Sequence, residues 1–409
     1  ASFIIVIAAC FISCTDKEIK VKTGLDMLIE NNLNLLEGKN IGIITNQTGI
    51  STSGEHIVDI LSGLPDINVK AVFAPEHGFR GNLSAGVRTD SSYIDENTGV
   101  RVWSIYGSTF KPTVQMLEDL DLLIYDIQDV GARFYTYIST MGLCMQAASE
   151  NQIMFIVLDR PNPITGILME GPIIEDQYFS FVGKYPIPVR YGLTPGELAV
   201  MIKGEQWLDG ISELDLGVIQ LDGWKRDIWY DETGLPWINP SPNIPSVISA
   251  ILYPGMCLFE ALNISEGRGT MHPFERIGAP WIKGIQLSET LNDLKLPGIY
   301  FKPVKYTPAS LPGASTYPKY LEEEIQGVEL VVTDRETMKP LDVSVSMISV
   351  LKSLYPENFQ FRSNLERLIG TTNFRTMINN NIDPNDIIKS WKEGLDNFSV
   401  LREKYLLYK

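Results

Sequence analysis

Short runs of β-branched and aliphatic residues alternate with segments of helical periodicity along the first half of the chain, and this alternation restricts the fold more than any other feature. Runs at 41–45, 69–74, 100–105, 122–127 and 153–158 are apolar through most of their length. Strands of that kind need cover on both faces, as in a parallel sheet sandwiched by helices. Helical patterns lie between them at 54–64, 113–120 and 137–150. In the last, Ile138, Met141, Leu143, Met145 and Ala148 are spaced to form one buried face. The pattern predicts an α/β fold built on a doubly wound parallel sheet.

A further helix over 194–204 opens with Thr194-Pro195-Gly196-Glu197, where Thr194 caps free amides and Pro195 suits the first turn. A strand is expected at 216–221. Between 224 and 245 aromatic and proline residues accumulate, which reads as a long ordered loop, a common place for function. Beyond Tyr253-Pro254-Gly255 a second, smaller mixed α/β domain is expected, with strands near 298–304 and 328–333 and helices near 343–354, 363–369 and 386–405. The organisation is then a tether over 1–22, a larger domain over 23–255 and a smaller one over 256–409.

Charge narrows the partners. The chain has 34 Lys plus Arg against 50 Asp plus Glu, a formal net charge of −16, so no cationic excess exists to displace counterions from a nucleic acid. Residues 3–12 form an apolar stretch too short to span a bilayer, with Cys10 and Cys14 in or directly after it and polar Thr15-Asp16-Lys17-Glu18 behind. This is similar to the end of a bacterial lipoprotein signal. Cys14 is the preferred lipidated residue and Cys10 the alternative; a plain secretory segment or a buried first strand are the other readings. The expectation is a cell-envelope protein, periplasmic or outer-membrane associated, that meets the membrane only through a lipid anchor. Cys144 and Cys257 lie in apolar surroundings and read as small core residues.

In open parallel sheets ligands bind beyond the carboxyl ends of the strands, and four of the runs end in polar clusters. These are Asn46-Gln47-Thr48-Gly49, Glu76-His77-Gly78, the stretch from Asp126 through Asp129 and Arg133 to Tyr135, and Asp159-Arg160-Pro161-Asn162-Pro163. They point to one shared cleft. In Val72-Phe73-Ala74-Pro75-Glu76-His77-Gly78, Pro75 fixes φ and removes a donor, so the chain leaves the sheet in a defined direction. Glu76 is placed for proton chemistry with His77 orienting it or the substrate; the competing reading is a polar turn.

No Gly-x-Gly-x-x-Gly follows the first strand, and neither a phosphate-binding loop nor a Gly-x-Ser-x-Gly elbow occurs. Three His and no paired Cys disfavour a metal, the alternative being Mg²⁺ or Ca²⁺ on Asp126, Asp129 and Asp159. No cofactor is expected. Carboxylates are left as the reactive groups: Glu76, Asp126, Asp159, Glu170 and Glu266. A sugar hydrolase needs two of them, and Trp103, Trp224 and Trp237 offer either flat faces for pyranose rings or core packing. Arg133, Arg160 and Arg268 suit an anionic substrate or internal ion pairs to Asp126, Asp129 and Glu266, and both readings stay open.

Taken together, Asn46-Gln47-Thr48-Gly49, Ala74-Pro75-Glu76-His77-Gly78, the 126–140 segment, Leu158-Asp159-Arg160-Pro161-Asn162-Pro163, Glu170-Gly171-Pro172, the 237–245 segment and Ser265-Glu266-Gly267-Arg268-Gly269-Thr270 resemble the NamZ-type exo-β-N-acetylmuramidases, formerly a family of unknown function. The resemblance implies a Rossmann-like N-terminal domain, a smaller C-terminal domain and a cleft between them. It also implies an exo-acting glycoside hydrolase that releases terminal β-linked N-acetylmuramic acid from the non-reducing ends of peptidoglycan fragments in cell-wall turnover or recycling.

Within that resemblance Glu76 is the general acid, His77 and Asn46 position the sugar, and Arg133 or Arg268 holds its lactate or acetamide side. Glu266 ranks first as second carboxylate, with Asp126 and Asp159 orienting the Arg side chains. Gln47, Tyr135, Arg160, Asn162, Asn239 and Asn243 complete the substrate-binding candidates. A non-catalytic muropeptide-binding lipoprotein and an amidase or esterase acting on wall fragments are the competing functions.

Overall fold

The structure, a computed structural model, describes residues 20–81 and 92–409. Cys10, Cys14 and the apolar stretch before them lie outside the described residues. The first half of the chain supplies α1 (Gly24–Asn31), β1 (Asn40–Thr45), α2 (Ile57–Ser62), β2 (Asn68–Ala74), β3 (Ser92–Ile94), β4 (Arg101–Ser104), β5 (Leu122–Asp126), α3 (Tyr137–Glu150), β6 (Met154–Leu158), α4 (Pro195–Gly204) and β7 (Leu216–Ile219).

Because successive side chains on a strand point to opposite faces, each apolar run feeds two separate layers. Ile43, Val72, Ile124 and Ile156 pack with Leu25, Leu28, Ile57 and Leu61 of α1 and α2. Their neighbours Ile44, Phe73, Tyr125 and Phe155 pack with Ile138, Met141, Leu198 and Met201 of α3 and α4. The seven strands lie in the order β3-β4-β2-β1-β5-β6-β7, all parallel except β3. From β1 the chain moves outward through α2 to β2 and β4, then returns to pair β5 with the other edge of β1. The connections after β1 and β5 therefore leave on opposite faces and open a crevice at their carboxyl ends.

The second half adds α5 (Val247–Met256), β8 (Arg276–Ala279), α6 (Gly284–Asp293), β9 (Ile299–Tyr306), β10 (Ile325–Val332), α7 (Pro340–Leu354), α8 (Leu365–Ile369), α9 (Asn373–Asn379), α10 (Pro384–Lys389) and α11 (Lys392–Arg402). Its three strands form an antiparallel sheet in the order β8-β10-β9. One contiguous apolar cluster runs from Phe155 under the large sheet, through Tyr253 and Phe274, to Phe301, Val328 and Met347 in the small unit.

Local sequence signals and structure part company in three places. The segment 113–120 forms only a 3-10 turn over Val114–Leu117. Tyr253-Pro254-Gly255, the expected end of the larger domain, belongs to the last turn of α5, which is buried over most of its length and contains Pro254. A proline so near a helix end disturbs few intrahelical bonds, and burial of the helix decides its conformation. The stretch 386–405 is two helices, because the chain bends between Lys389 and Lys392.

Candidate active site

Beyond Ala74 the chain turns at once: the Gly78 amide donates to the Pro75 carbonyl at 3.0 Å, with Glu76 and His77 as the two central residues. His77 is buried and has φ = 70°. That left-handed conformation costs a residue with a side chain about 1–2 kcal/mol and persists only where its surroundings hold it. The turn delivers both residues to a cavity of about 60 Å³, lined also by Phe134, Tyr135, Thr136, Tyr137, Ser241, Asn243, Tyr253, Arg268 and Phe274.

Thr136 stands at the amino end of α3 yet makes no capping bond to that helix. Its hydroxyl donates instead to Glu76 Oε2 at 2.7 Å. Tyr137 donates to the Pro240 carbonyl at 2.7 Å, and Gln47, just past β1, donates to the carbonyls of Asn239 (2.8 Å) and Pro240 (3.2 Å). Asn243 Nδ2 donates to Ala314 O at 3.0 Å. The long loop is thus fastened to β1, to α3 and to the small unit, and it forms one wall of the cavity.

Asn46 Oδ1 accepts from the Thr48 amide (2.9 Å) and hydroxyl (2.6 Å). Its Nδ2 and the Tyr135 hydroxyl are buried, lie near the Tyr137 hydroxyl, and make no hydrogen bond of good geometry among the described residues. Buried donors of this kind are costly unless something accepts from them.

The opposite wall carries charge. Gly267 has φ = 81°, and a Cβ there would lie 2.6 Å from the His272 carbonyl, so only glycine lets the chain turn between Glu266 and Arg268. Arg268 Nη2 donates to Glu260 Oε1 at 2.6 Å, its Nε lies 3.7 Å from Glu266 Oε1, and its guanidinium covers the Phe274 ring at 5.3 Å. Glu266 is buried, accepts from Lys319 at 2.9 Å, and is not among the residues lining the cavity. Burial pushes the Glu266 carboxyl up, but Lys319 and Arg268 outweigh it and hold its pKa below the ordinary value. Burial dominates at Glu260 and raises its pKa, with Glu266 and Glu76 adding to the effect against Arg268 and Lys319.

Several residues expected in the cleft are used inside the fold. Arg133 is fully buried and donates to four carbonyls, those of Pro172 (2.8 Å), Ile187 (2.8 Å), Leu368 (3.0 Å) and Ile369 (2.8 Å); burial pulls its pKa down to about 9. It does not line the Glu76 cavity, and among the described residues it pairs with no carboxylate. Arg160 forms a two-pronged buried pair with Asp126 at 2.5 and 2.9 Å. Asp159 accepts from the Arg160 and Gly196 amides and the Thr194 and Tyr408 hydroxyls, and burial raises its pKa to about 7.

Asn162 joins Leu193 O to the Ile164 amide, and Glu170 pairs with Arg190. Asn239 contributes its backbone carbonyl to the Gln47 contact. Trp224 packs edge-on to Tyr408, and Trp237 packs against Tyr230 and donates to Ile244 O. Among the described residues no group of three or more His, Cys, Asp or Glu is arranged to hold a metal ion.

Sequence reasoning passed over Thr136, Tyr137, Glu260 and Lys319. Glu260 carried a usable signal, a lone charge in the apolar run Met256-Cys257-Leu258-Phe259-Glu260-Ala261, since unpaired charges are rarely buried. Lys319, in a loop of mixed composition, carried none.

A carboxylate cavity at the switch point of a doubly wound sheet, walled on one side by a small antiparallel sheet unit, defines a two-part α/β protein with the equipment of an acid–base enzyme. The chain belongs to the exo-β-N-acetylmuramidase NamZ family, whose N-terminal domain matches residues 41–248 and whose C-terminal domain matches residues 251–408. The peptidoglycan β-N-acetylmuramidase NamZ of Bacillus subtilis (strain 168) is 48% identical over 396 residues, covering 96% of this chain and 93% of that protein. Two crystal structures of DUF1343 family proteins from Bacteroides fragilis NCTC 9343 share the fold. One has a TM-score of 0.88 at 40% identity, covering 96% of this chain and 100% of that one. The other has a TM-score of 0.78 at 34% identity, covering 95% and 99%.

Proposed function

We propose that this chain is a glycoside hydrolase that removes terminal β-linked N-acetylmuramic acid from the non-reducing ends of peptidoglycan fragments. The observation that carries the reading is Glu76 at the cavity, held by Thr136, in a chain 48% identical to the Bacillus subtilis β-N-acetylmuramidase along nearly its whole length. Glu76 gives its proton to the glycosidic oxygen as the bond to the anomeric carbon breaks. Water supplies the hydroxyl that ends on the sugar and the proton that returns to the carboxylate. His77, Tyr135, Asn243 and Arg268 surround the sugar, and the Tyr135 hydroxyl is available to its acetamide or ring hydroxyls.

The test is incubation of the purified protein with the disaccharide in which N-acetylmuramic acid is β-linked to N-acetylglucosamine. Release of free N-acetylmuramic acid, followed by mass spectrometry, is the expected result. Release of peptide or acyl groups from wall fragments without sugar cleavage overturns it, as does binding with no turnover.

We further propose that the protein works at the cell envelope through a lipid on Cys14, supported by the apolar stretch before it and the polar tether behind it. Metabolic labelling with an alkyne-tagged fatty acid tests this: label should be incorporated into the wild type and Cys10→Ala and be lost in Cys14→Ala.

A further inference from the structure

Arg268 is the cation among the residues lining the Glu76 cavity. Its guanidinium is only partly engaged by protein: Nη2 is held by Glu260, Nε stands 3.7 Å from Glu266 with no hydrogen bond, and Nη1 takes no hydrogen-bond partner among the described residues. Its flat face rests on Phe274. Glu266 is committed elsewhere, to Lys319, which also donates to the carbonyls of Phe259 (2.6 Å) and Ile264 (2.8 Å). Glu260 sits on the turn directly after α5, with about a quarter of its side chain exposed. Arg268, Glu266, Lys319, Glu76, Cys257 and Tyr253 are the ionisable groups that act on it or that it acts on.

A guanidinium so placed is pre-oriented. The Nε and Nη2 edge is turned toward Glu266 and Glu260 and the ring lies below, so Nη1 and the second hydrogen of Nη2 are left for an acceptor in the cavity. A carboxylate is the acceptor whose two oxygens match the fork.

We propose that Glu260 is a positioning residue for the reaction: it aims Arg268 into the cavity so that the guanidinium takes a carboxylate carried by the substrate, and so sets the preference for an acidic amino sugar over its neutral counterpart. This rests on the functional reading above for the identity of the sugar. Glu260 does not touch substrate. Its carboxylate also limits the attraction: Arg268 and Lys319 face Glu260 and Glu266, so the group is formally neutral and gains its selectivity from geometry rather than from net charge.

The experiment compares wild type, Glu260→Ala, Glu260→Gln, Arg268→Lys and Arg268→Gln, each checked for folding by thermal unfolding. Two readouts are taken: kcat and KM on para-nitrophenyl β-N-acetylmuramide, and calorimetric binding of free N-acetylmuramic acid against N-acetylglucosamine. Glu260→Ala should raise KM for the muramide and weaken binding of the acidic sugar about tenfold, leaving kcat within about threefold and the neutral sugar unaffected. Glu260→Gln keeps an oxygen for Nη2 and should restore the preference. Both Arg268 variants should lose it, because neither presents the fork.

Equal weakening of both sugars by Glu260→Ala means a merely structural role and overturns the proposal. So does a collapse of kcat in Glu260→Gln, which would make Glu260 a direct participant, or an Arg268→Gln variant that still prefers the acidic sugar. If the wild type releases no sugar at all, the functional reading fails, while the binding comparison still decides the roles of Arg268 and Glu260.

Discussion

The Thr136 hydroxyl and the Glu76 carboxylate meet at 2.7 Å, joining the amino end of α3 to the turn after β2. A threonine that leaves its helix uncapped to hold a carboxylate implies that the carboxylate's position matters. Glu76→Gln should lower kcat on the disaccharide about 10²–10⁴-fold with unchanged thermal stability. Thr136→Val should cost about tenfold in kcat, and Thr136→Ser should recover most of it. The disaccharide is the informative substrate, since an activated aryl leaving group masks loss of an acid.

Arg133 gives an opposite expectation. Replacing it with Met leaves four buried carbonyls without donors, and the loss of stability should be at least about 3 kcal/mol. Denaturant unfolding measures it. KM of the protein that remains folded should match the wild type; a raised KM at unchanged stability would place Arg133 at the substrate after all.

His77 tests the backbone. At φ = 70° glycine is the residue without a steric penalty, so His77→Gly should be more stable than His77→Ala by about 1 kcal/mol. Both should lose activity, because both remove the imidazole from the cavity. The comparison separates the cost of the turn from the use of the ring.

His56 makes stability depend on pH. Its Nδ1 accepts from the Val58 amide at the start of α2 and its Nε2 lies 2.9 Å from the Asn46 carbonyl, a pattern that requires the neutral ring with the proton on Nε2. Burial lowers its pKa from the ordinary 6.5. The unfolded chain therefore takes up a proton at higher pH than the folded one, so this stabilisation is complete above about pH 6.5 and falls as pH drops below it. Asp129 and Asp159, raised to about 6 and about 7, slope the other way: their contribution is complete below about pH 3.8 and is lost as pH rises through those values. His56→Asn keeps a capping oxygen and leaves the two aspartates in place, so the difference in unfolding free energy between wild type and His56→Asn should shrink as pH drops from 7 to 5.

How much of this was legible in the sequence depended on the range of the signal. The runs that became β1, β2, β5 and β6 were readable because a strand buried on both faces must be apolar along its length, and α3 and the capped start of α4 were readable from spacing alone. The polar strand ends were readable too, and four of them do gather at one edge. What each does there was not. Arg133, Arg160 and Arg268 look alike in sequence, yet one ends on carbonyls, one on Asp126 and one at the cavity, because Arg133 and Arg160 take partners 34 to 236 positions away and Arg268 lines a cavity with the distant Glu76. Lys319 was invisible for the same reason, its partners lying 53 to 60 positions away, whereas the lone charge of Glu260 was there to be read, and α5 was missed because Pro254 is a strong local signal that burial overrode.

The apolar cluster that passes without a break from Phe155 to Val328 bears on how this architecture changes over time. The two family segments adjoin inside α5, between residues 248 and 251, in the first turn of a helix buried from Ser249 onward. A cut at that seam would strip each half of apolar surface that the other covers, so the halves are poor candidates for shuffling between relatives as independent modules. A substitution under the large sheet is felt in the small one, and the two must diverge as a matched pair.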